Sequence, residues 1–152
     1  PEELSPENIK IMLDEKTGEG VCVVDLDTVM PGSLLYDFGD ALRFGASSAV
    51  EDETDLSKVS LDLDLFSAFA KGFIEGCEGR LTDTEISLLP VGAMMMTLEC
   101  GIRFLTDYLE GDVYFKIHRN GHNLDRARNQ FALVRDIEKK LPEMAEIVKK
   151  YV

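Results

Sequence analysis

Apolar positions along the chain change their period near residue 33. Upstream, "IKIMLDEKTGEGVCVVDLD" predicts a β-hairpin: apolar Ile9 to Leu13, a turn through Lys16-Thr-Gly-Glu-Gly20, then Val21 to Asp25, rich in β-branched residues. Downstream the spacing is helical. In "SLLYDFGDALRFGASS", Ser33 is placed to cap a helix with Leu34, Leu35, Phe38, Ala41 and Leu42 on one face and Gly45 at its end. "EDETDLSKVS" reads as an acidic connector, and "LDLDLFSAFAKGFIEGCEG" as an amphipathic helix with a stripe of Leu61, Leu65, Phe69 and Phe73.

Thr82 and Glu85 form a capping box that opens the long segment "LTDTEISLLPVGAMMMTLECGIRFLTDYLEG". Pro90 and Gly92 predict a kink in it, and Met94 to Met96 read as core filler. Asn120-Gly121 marks a turn, after which Leu124, Ala127, Phe131, Val134, Ile137 and Leu141 repeat at helical spacing. A separate short helix is expected after Pro142. The fold class is therefore α+β and mostly helical: a single domain over 1–152, with a hairpin at about 9–27 and a helical body at about 33–152.

Composition narrows the partners. The 152 residues are 45% hydrophobic, enough for a real core, and the net charge of -13 repels phosphate backbones and anionic lipid. Nucleic acid and membrane are excluded as expected partners, and a phosphorylated ligand would need a metal ion or a local basic patch. The longest apolar run, Leu88 to Leu98, is broken by Pro90 and Gly92, short of the roughly 20 residues of a membrane span. "PEELSPENIK" lacks the order of a signal peptide, so a cytoplasmic location is expected. Cys22, Cys77 and Cys100 lie far apart among apolar residues and read as buried free thiols.

"CVVDLDTVMPG" carries the sharpest chemical question. Asp25 and Asp27 stand two apart at the end of an apolar strand, so both carboxylates point to one face and can approach one cation together. Three readings compete. An Asp at a strand end caps the following turn while its neighbour is solvated. A calcium loop needs further oxygen ligands at regular spacing, where "DLDTVMPGSLLY" supplies apolar residues. A magnesium site needs only one or two carboxylates, completed by water and substrate phosphates.

"VVDLDTVMPGSLLYDFGDALRFG" resembles the corresponding segment of the aminoglycoside phosphotransferase and choline kinase superfamily, in which an apolar strand ends in a metal-binding Asp. The closer resemblance is to bacterial N-acetylhexosamine 1-kinases, carried in order by "IMLDEKTGEGVCVVDLDTVMPG", "LLYDFGDALRFGAS", "LECGIRFLTDYLEGDVYFKIHR" and "HNLDRARNQF", from about Ile11 to Lys140. That resemblance implies the C-terminal lobe of a protein-kinase-like phosphotransferase, with ATP as cosubstrate and Mg²⁺ as cofactor. Asp25 would hold the metal against the nucleotide phosphates, Asp27 would be a second or supporting metal carboxylate, and Asp37 would orient the catalytic loop. Asp37 also reads simply as a first-turn acid favoured by the helix dipole.

These kinases carry a His-x-Asp-x-x-x-x-Asn loop just before the hairpin. Counting back from Asp25 puts Glu3, Ser5 and Lys10 at those positions; a shift of two brings Glu3 and Asn8 into the Asp and Asn slots but leaves Pro1 for His. No catalytic base is identified, and a glycine-rich nucleotide lobe is also absent from the sequence. The chain is thus expected to be the C-terminal part of a sugar kinase that transfers the ATP γ-phosphate to the anomeric hydroxyl of an N-acetylhexosamine. Alone it is expected to be inactive, its partners being the sugar, the nucleotide and the missing N-terminal lobe. Two alternatives stay open: another small-molecule phosphotransferase of the aminoglycoside or choline type, or a non-catalytic kinase remnant that acts as a binding module. A sulfatase is excluded, since "CVVDL", "CEGRL" and "CGIRF" lack the Cys/Ser-x-Pro/Ala-x-Arg context of a formylglycine precursor.

Arg103 interrupts the apolar stretch "LECGIRFLTDYL", where a buried guanidinium needs acceptors. Glu99 and Asp107, four residues either way, would supply a salt bridge; the resemblance instead implies that Arg103 and Tyr114 contact the sugar. His118 and His122 have a zinc-like spacing, but the intervening Asn120-Gly121 turn argues against a metal. Lys116, Arg119, Arg126 and Arg128 form a basic cluster suited to a phosphate or sugar, or to pairing with the chain's own acids.

Overall fold

The computed structural model describes residues 3, 4, 10–14, 16–24 and 31–152. The chain divides into two compact units, Pro1–Ser33 and Leu34–Val152. In the first, β2 (Lys10–Leu13) pairs antiparallel with β3 (Gly20–Val24), matching Ile11 with Val23 and Met12 with Cys22. The Asp14 carboxylate accepts the N–H groups of Lys16 and Thr17, and Gly18 supplies the positive φ the turn needs. A third strand, β1 (Glu3–Leu4), lies on the other side of β2; two residues are too few for an alternating pattern to reveal. Cys22 is exposed, against the expectation of burial, whereas Cys77 is half-buried and Cys100 buried; all three are free thiols.

The second unit holds four helices, so the fold is α+β and mostly helical. These are α1 (Leu34–Gly45), α2 (Leu63–Gly76), α3 (Asp83–Glu110) and α4 (His122–Lys149). The core gathers Phe38 and Leu42 of α1, Phe66 and Ala70 of α2, Leu89 and Ala93 of α3, and Leu133, Ile137 and Met144 of α4. Phe38 is its hub, with ring centroids 5.1 Å from Phe73 and 6.1 Å from Phe66. The capping box at Thr82 and Glu85 is formed as expected. Apart from that start, α3 is long and apolar enough to cross a membrane, but 44% of its apolar window is buried inside the protein, its inward face packed on α1 and α4.

Two expectations about the helices are corrected. The buried line of α2 is Phe66 and Ala70, while Leu65 is about half exposed, because the Asp62 carboxylate accepts the N–H groups of Asp64 and Leu65 and starts the helix after Leu61. Pro142 does not end α4, which runs unbroken to Lys149. An internal proline costs about 3 kcal/mol, and burial of Met144, Ile147 and Val148 beyond it offsets that loss. Gly92 serves a close helix crossing: a Cβ there would stand 3.1 Å from the Leu35 carbonyl oxygen of α1. Within the methionine run, Met94 and Met96 are half-buried but Met95 is exposed.

The acidic connector is ordered. Asp62 N–H donates to the Ala46 carbonyl and Ser48 N–H to that of Ser60, closing a loop that contains a 3-10 turn at Leu56–Lys58. Asp136 of α4 fastens it by accepting the Leu61 N–H at 2.7 Å and the Ser60 hydroxyl at 3.0 Å, with the Lys140 ammonium 2.7 Å away. Burial raises the Asp136 carboxyl, but the Lys140, Leu61 and Ser60 bonds outweigh it and leave it below the ordinary 3.8. Asp136→Ala should therefore lose about 2 kcal/mol in urea unfolding at neutral pH. Because the folded-state value is the depressed one, that difference is present above about pH 4 and shrinks as the pH falls through it.

Candidate functional site

The C-terminal turn of α3 is a carboxylate-centred anchor. Gly111 takes the left-handed conformation that closes the helix, and the chain then turns back so that Asp107 accepts the backbone N–H groups of Val113 (2.9 Å), Tyr114 (2.7 Å) and Phe115 (2.9 Å). The Asn123 amide of α4 donates to the same carboxylate at 2.8 Å and to Asp112 at 2.9 Å. Burial raises the Asp107 carboxyl, and the Phe115, Tyr114 and Val113 bonds together outweigh it and hold it below 3.8.

This anchor brings Arg103 and Tyr114 together. The loop lays the Tyr114 and Phe115 rings against the guanidinium one turn before Asp107, with centroids 5.7 Å and 5.3 Å from Arg103 Cζ. The two side chains line an open cavity of about 360 Å³ with Ile102, Thr106, Asp107 and Glu110. Arg103 is not buried, as its apolar surroundings suggested, but 48% exposed, because positions 102 and 103 lie on the solvent face of α3. Its acid partner is Glu99, at 3.7 Å; Asp107 is committed to the loop. The anchoring role of Asp107 was missed by pattern, though an acid sharing the buried face of α3 with Cys100 and Phe104 is a signal for such a role.

A polar chain continues inward from the anchor. Arg126 donates to Asn123 Oδ1 and to the Lys116 carbonyl, lies 5.3 Å over the Phe104 ring and pairs with Glu51 at 3.6 Å. Glu51 also accepts from the buried Arg43 at 2.8 Å, which in turn pairs with Asp40. Arg119 and Arg128 both pair with Asp125. Three members of the basic cluster are thus engaged by the chain's own acids. His122 is buried; its Nδ1 accepts the His118 N–H at 3.3 Å, so its Nε2–H donates to Asp52 at 3.1 Å. Both ring nitrogens of His122 are occupied, and no group of three or more metal-ligating side chains is found among the described residues.

Asp37 is exposed in the first turn of α1, on the favourable side of the helix dipole. Asp25 and Asp27 lie outside the described residues. No protein-family model matches the chain.

Proposed function

We propose that this chain is the C-terminal, helical part of a sugar kinase resembling the N-acetylhexosamine 1-kinases. In this reading the γ-phosphate of ATP passes to the anomeric hydroxyl of N-acetylglucosamine or N-acetylgalactosamine in the cytoplasm. Asp25 and Asp27 would hold Mg²⁺ against the nucleotide. A glycine-rich lobe and a His-x-Asp loop from outside this sequence would supply the rest, and without them the chain does not turn over ATP. The observation that supports the reading is the meeting of Arg103 and Tyr114. These residues lie on different segments, are paired as sugar contacts by the resemblance, and face one cavity of a size that takes a monosaccharide.

A sugar hydroxyl is weakly acidic, so holding it in line with the transferring phosphoryl group carries much of the rate. Arg103→Leu should weaken N-acetylglucosamine binding to this chain roughly ten- to a hundredfold, the worth of a charged hydrogen bond. kcat/KM of the full-length kinase should fall by the same factor. The side chain is half exposed, so the fold should persist. Chemical shift titration of the Tyr114 and Phe115 amides with the sugar measures the first effect. Unmoved resonances at millimolar sugar would sink the reading. Sugar binding by a full-length protein without phosphoryl transfer would favour the non-catalytic module.

A further inference from the structure

The chemistry of the Arg103 cavity goes further than two contacts. Along the outer face of α3, Arg103, Thr106 and Glu110 recur at helical spacing, and all three line the same space as Tyr114. Arg103 is already engaged by Glu99 and by two rings. Thr106 and Glu110 are not. Among the described residues the Thr106 hydroxyl and the Glu110 carboxylate make no hydrogen bond or ion pair, whereas Thr97, two and a half turns earlier on the same helix, donates its hydroxyl to the Ala93 carbonyl.

Glu110 also stands at the wrong end of its helix. The last turn of α3 contains no basic residue and carries two acids where the helix dipole disfavours them. For Asp107 the penalty is offset by four hydrogen bonds. Nothing within the described structure offsets it for Glu110. A local rule broken without internal compensation is a feature of functional sites.

The charge around the cavity selects the partner. Among the residues that line it, Arg103 is the one cation and Asp107 and Glu110 are acids, and Arg103 is also paired with Glu99, a local balance of +1 against -3. An anionic ligand is repelled, so the nucleotide phosphates cannot be what this cavity holds. A bare carboxylate beside a hydroxyl and an aromatic ring suits a neutral polyol, two of whose adjacent hydroxyls donate to the two carboxylate oxygens while the ring covers a C–H face.

We infer that Glu110, assisted by Thr106, is the specificity-determining residue of this cavity: it accepts hydrogen bonds from a vicinal hydroxyl pair of a neutral hexose and rejects sugars that carry phosphate or carboxylate. This rests on the sugar-binding reading above. It assigns the discrimination to Glu110 rather than to Arg103. Since Glu110 is exposed and makes no internal bond, Glu110→Gln leaves the fold intact.

Affinities of this chain for N-acetylglucosamine, N-acetylglucosamine 6-phosphate and the 4-deoxy analogue of N-acetylglucosamine, measured by amide shift titration, test it. Wild type should prefer the neutral parent sugar over both others. Glu110→Gln should lose about tenfold or more for the parent sugar, the worth of a charged hydrogen bond, while the gap to the phosphorylated sugar narrows. Should Glu110→Gln and Thr106→Val both keep wild-type affinity and selectivity while Arg103→Leu loses them, the role of Glu110 is refuted and the sugar reading stands. A wild-type chain that binds none of the three refutes both.

Discussion

Replacing Gly39 with alanine is expected to lower the stability of the helical unit by about 3 kcal/mol, the upper end of the usual range for overpacking. Gly39 lies buried in α1 where it crosses α3. An added Cβ would stand 2.3 Å from the carbonyl oxygen of Gly92 and 2.7 Å from its carbonyl carbon. The Met96 side chain, also 2.7 Å away, can rotate aside; a helix backbone cannot. Alanine gains about 1 kcal/mol of helix propensity over glycine, which is too little to offset that clash. Gly72 of α2 is the control, since a Cβ there meets nothing within 4 Å. Gly72→Ala should therefore stabilise by up to about 1 kcal/mol. Urea midpoints of the two variants moving in the same direction would mean that the α1–α3 crossing is looser than its geometry indicates.

The contrast between these glycines shows what a one-dimensional pattern can carry. Thr82 and Glu85 signal a helix start because all their partners lie within one turn, and the cap formed as read. Gly92 is ambiguous, since a kink and a close crossing ask for the same residue, and the crossing shows only once Leu35 is placed against it. Pro142 misleads because its local penalty is outweighed by burial of Met144 and Ile147, a tertiary effect with no local trace. The buried polar groups of α4 were not legible for a related reason. Asn129 looks like a solvent residue, yet its amide donates to the Val50 and Glu53 carbonyls of the connector, 79 and 76 residues away.

The cavity follows the same logic. Arg103 drew notice as a charge in an apolar stretch, and i to i+4 spacing offered both Glu99 and Asp107 as partners. Spacing alone cannot rank them. Glu99 lies on the solvent face with Arg103, while Asp107 turns inward, where its donors are the N–H groups of the returning loop and the Asn123 amide. Without that loop closure Tyr114 would have no reason to lie near Arg103. The candidate site therefore depends on a residue whose sequence context suggested another use.

Asp107→Asn is the substitution that tests this dependence, and its local effect should be the largest at the site. The carboxylate accepts from three backbone N–H groups and the Asn123 amide, whereas an asparagine presents one acceptor oxygen and turns an NH₂ toward the remaining donors. Hydrogen exchange at Val113, Tyr114 and Phe115 should accelerate roughly ten- to a hundredfold, the worth of a hydrogen bond to a charged acceptor, while the amides of the core helices hold. The rings leave the Arg103 guanidinium as the loop opens, so sugar affinity should fall with Arg103 itself unaltered. Acid should reproduce the effect in the wild type. Because the folded-state carboxyl lies below the ordinary 3.8, its contribution is fully present above about pH 4 and is lost as the pH drops through the depressed value. The Val113, Tyr114 and Phe115 amide shifts should accordingly titrate together below that point in the wild type and not in Asp107→Asn. If the variant keeps slow exchange at all three amides, the loop is held by the packing of Phe115 on Phe104, 4.7 Å between ring centroids, and not by the carboxylate.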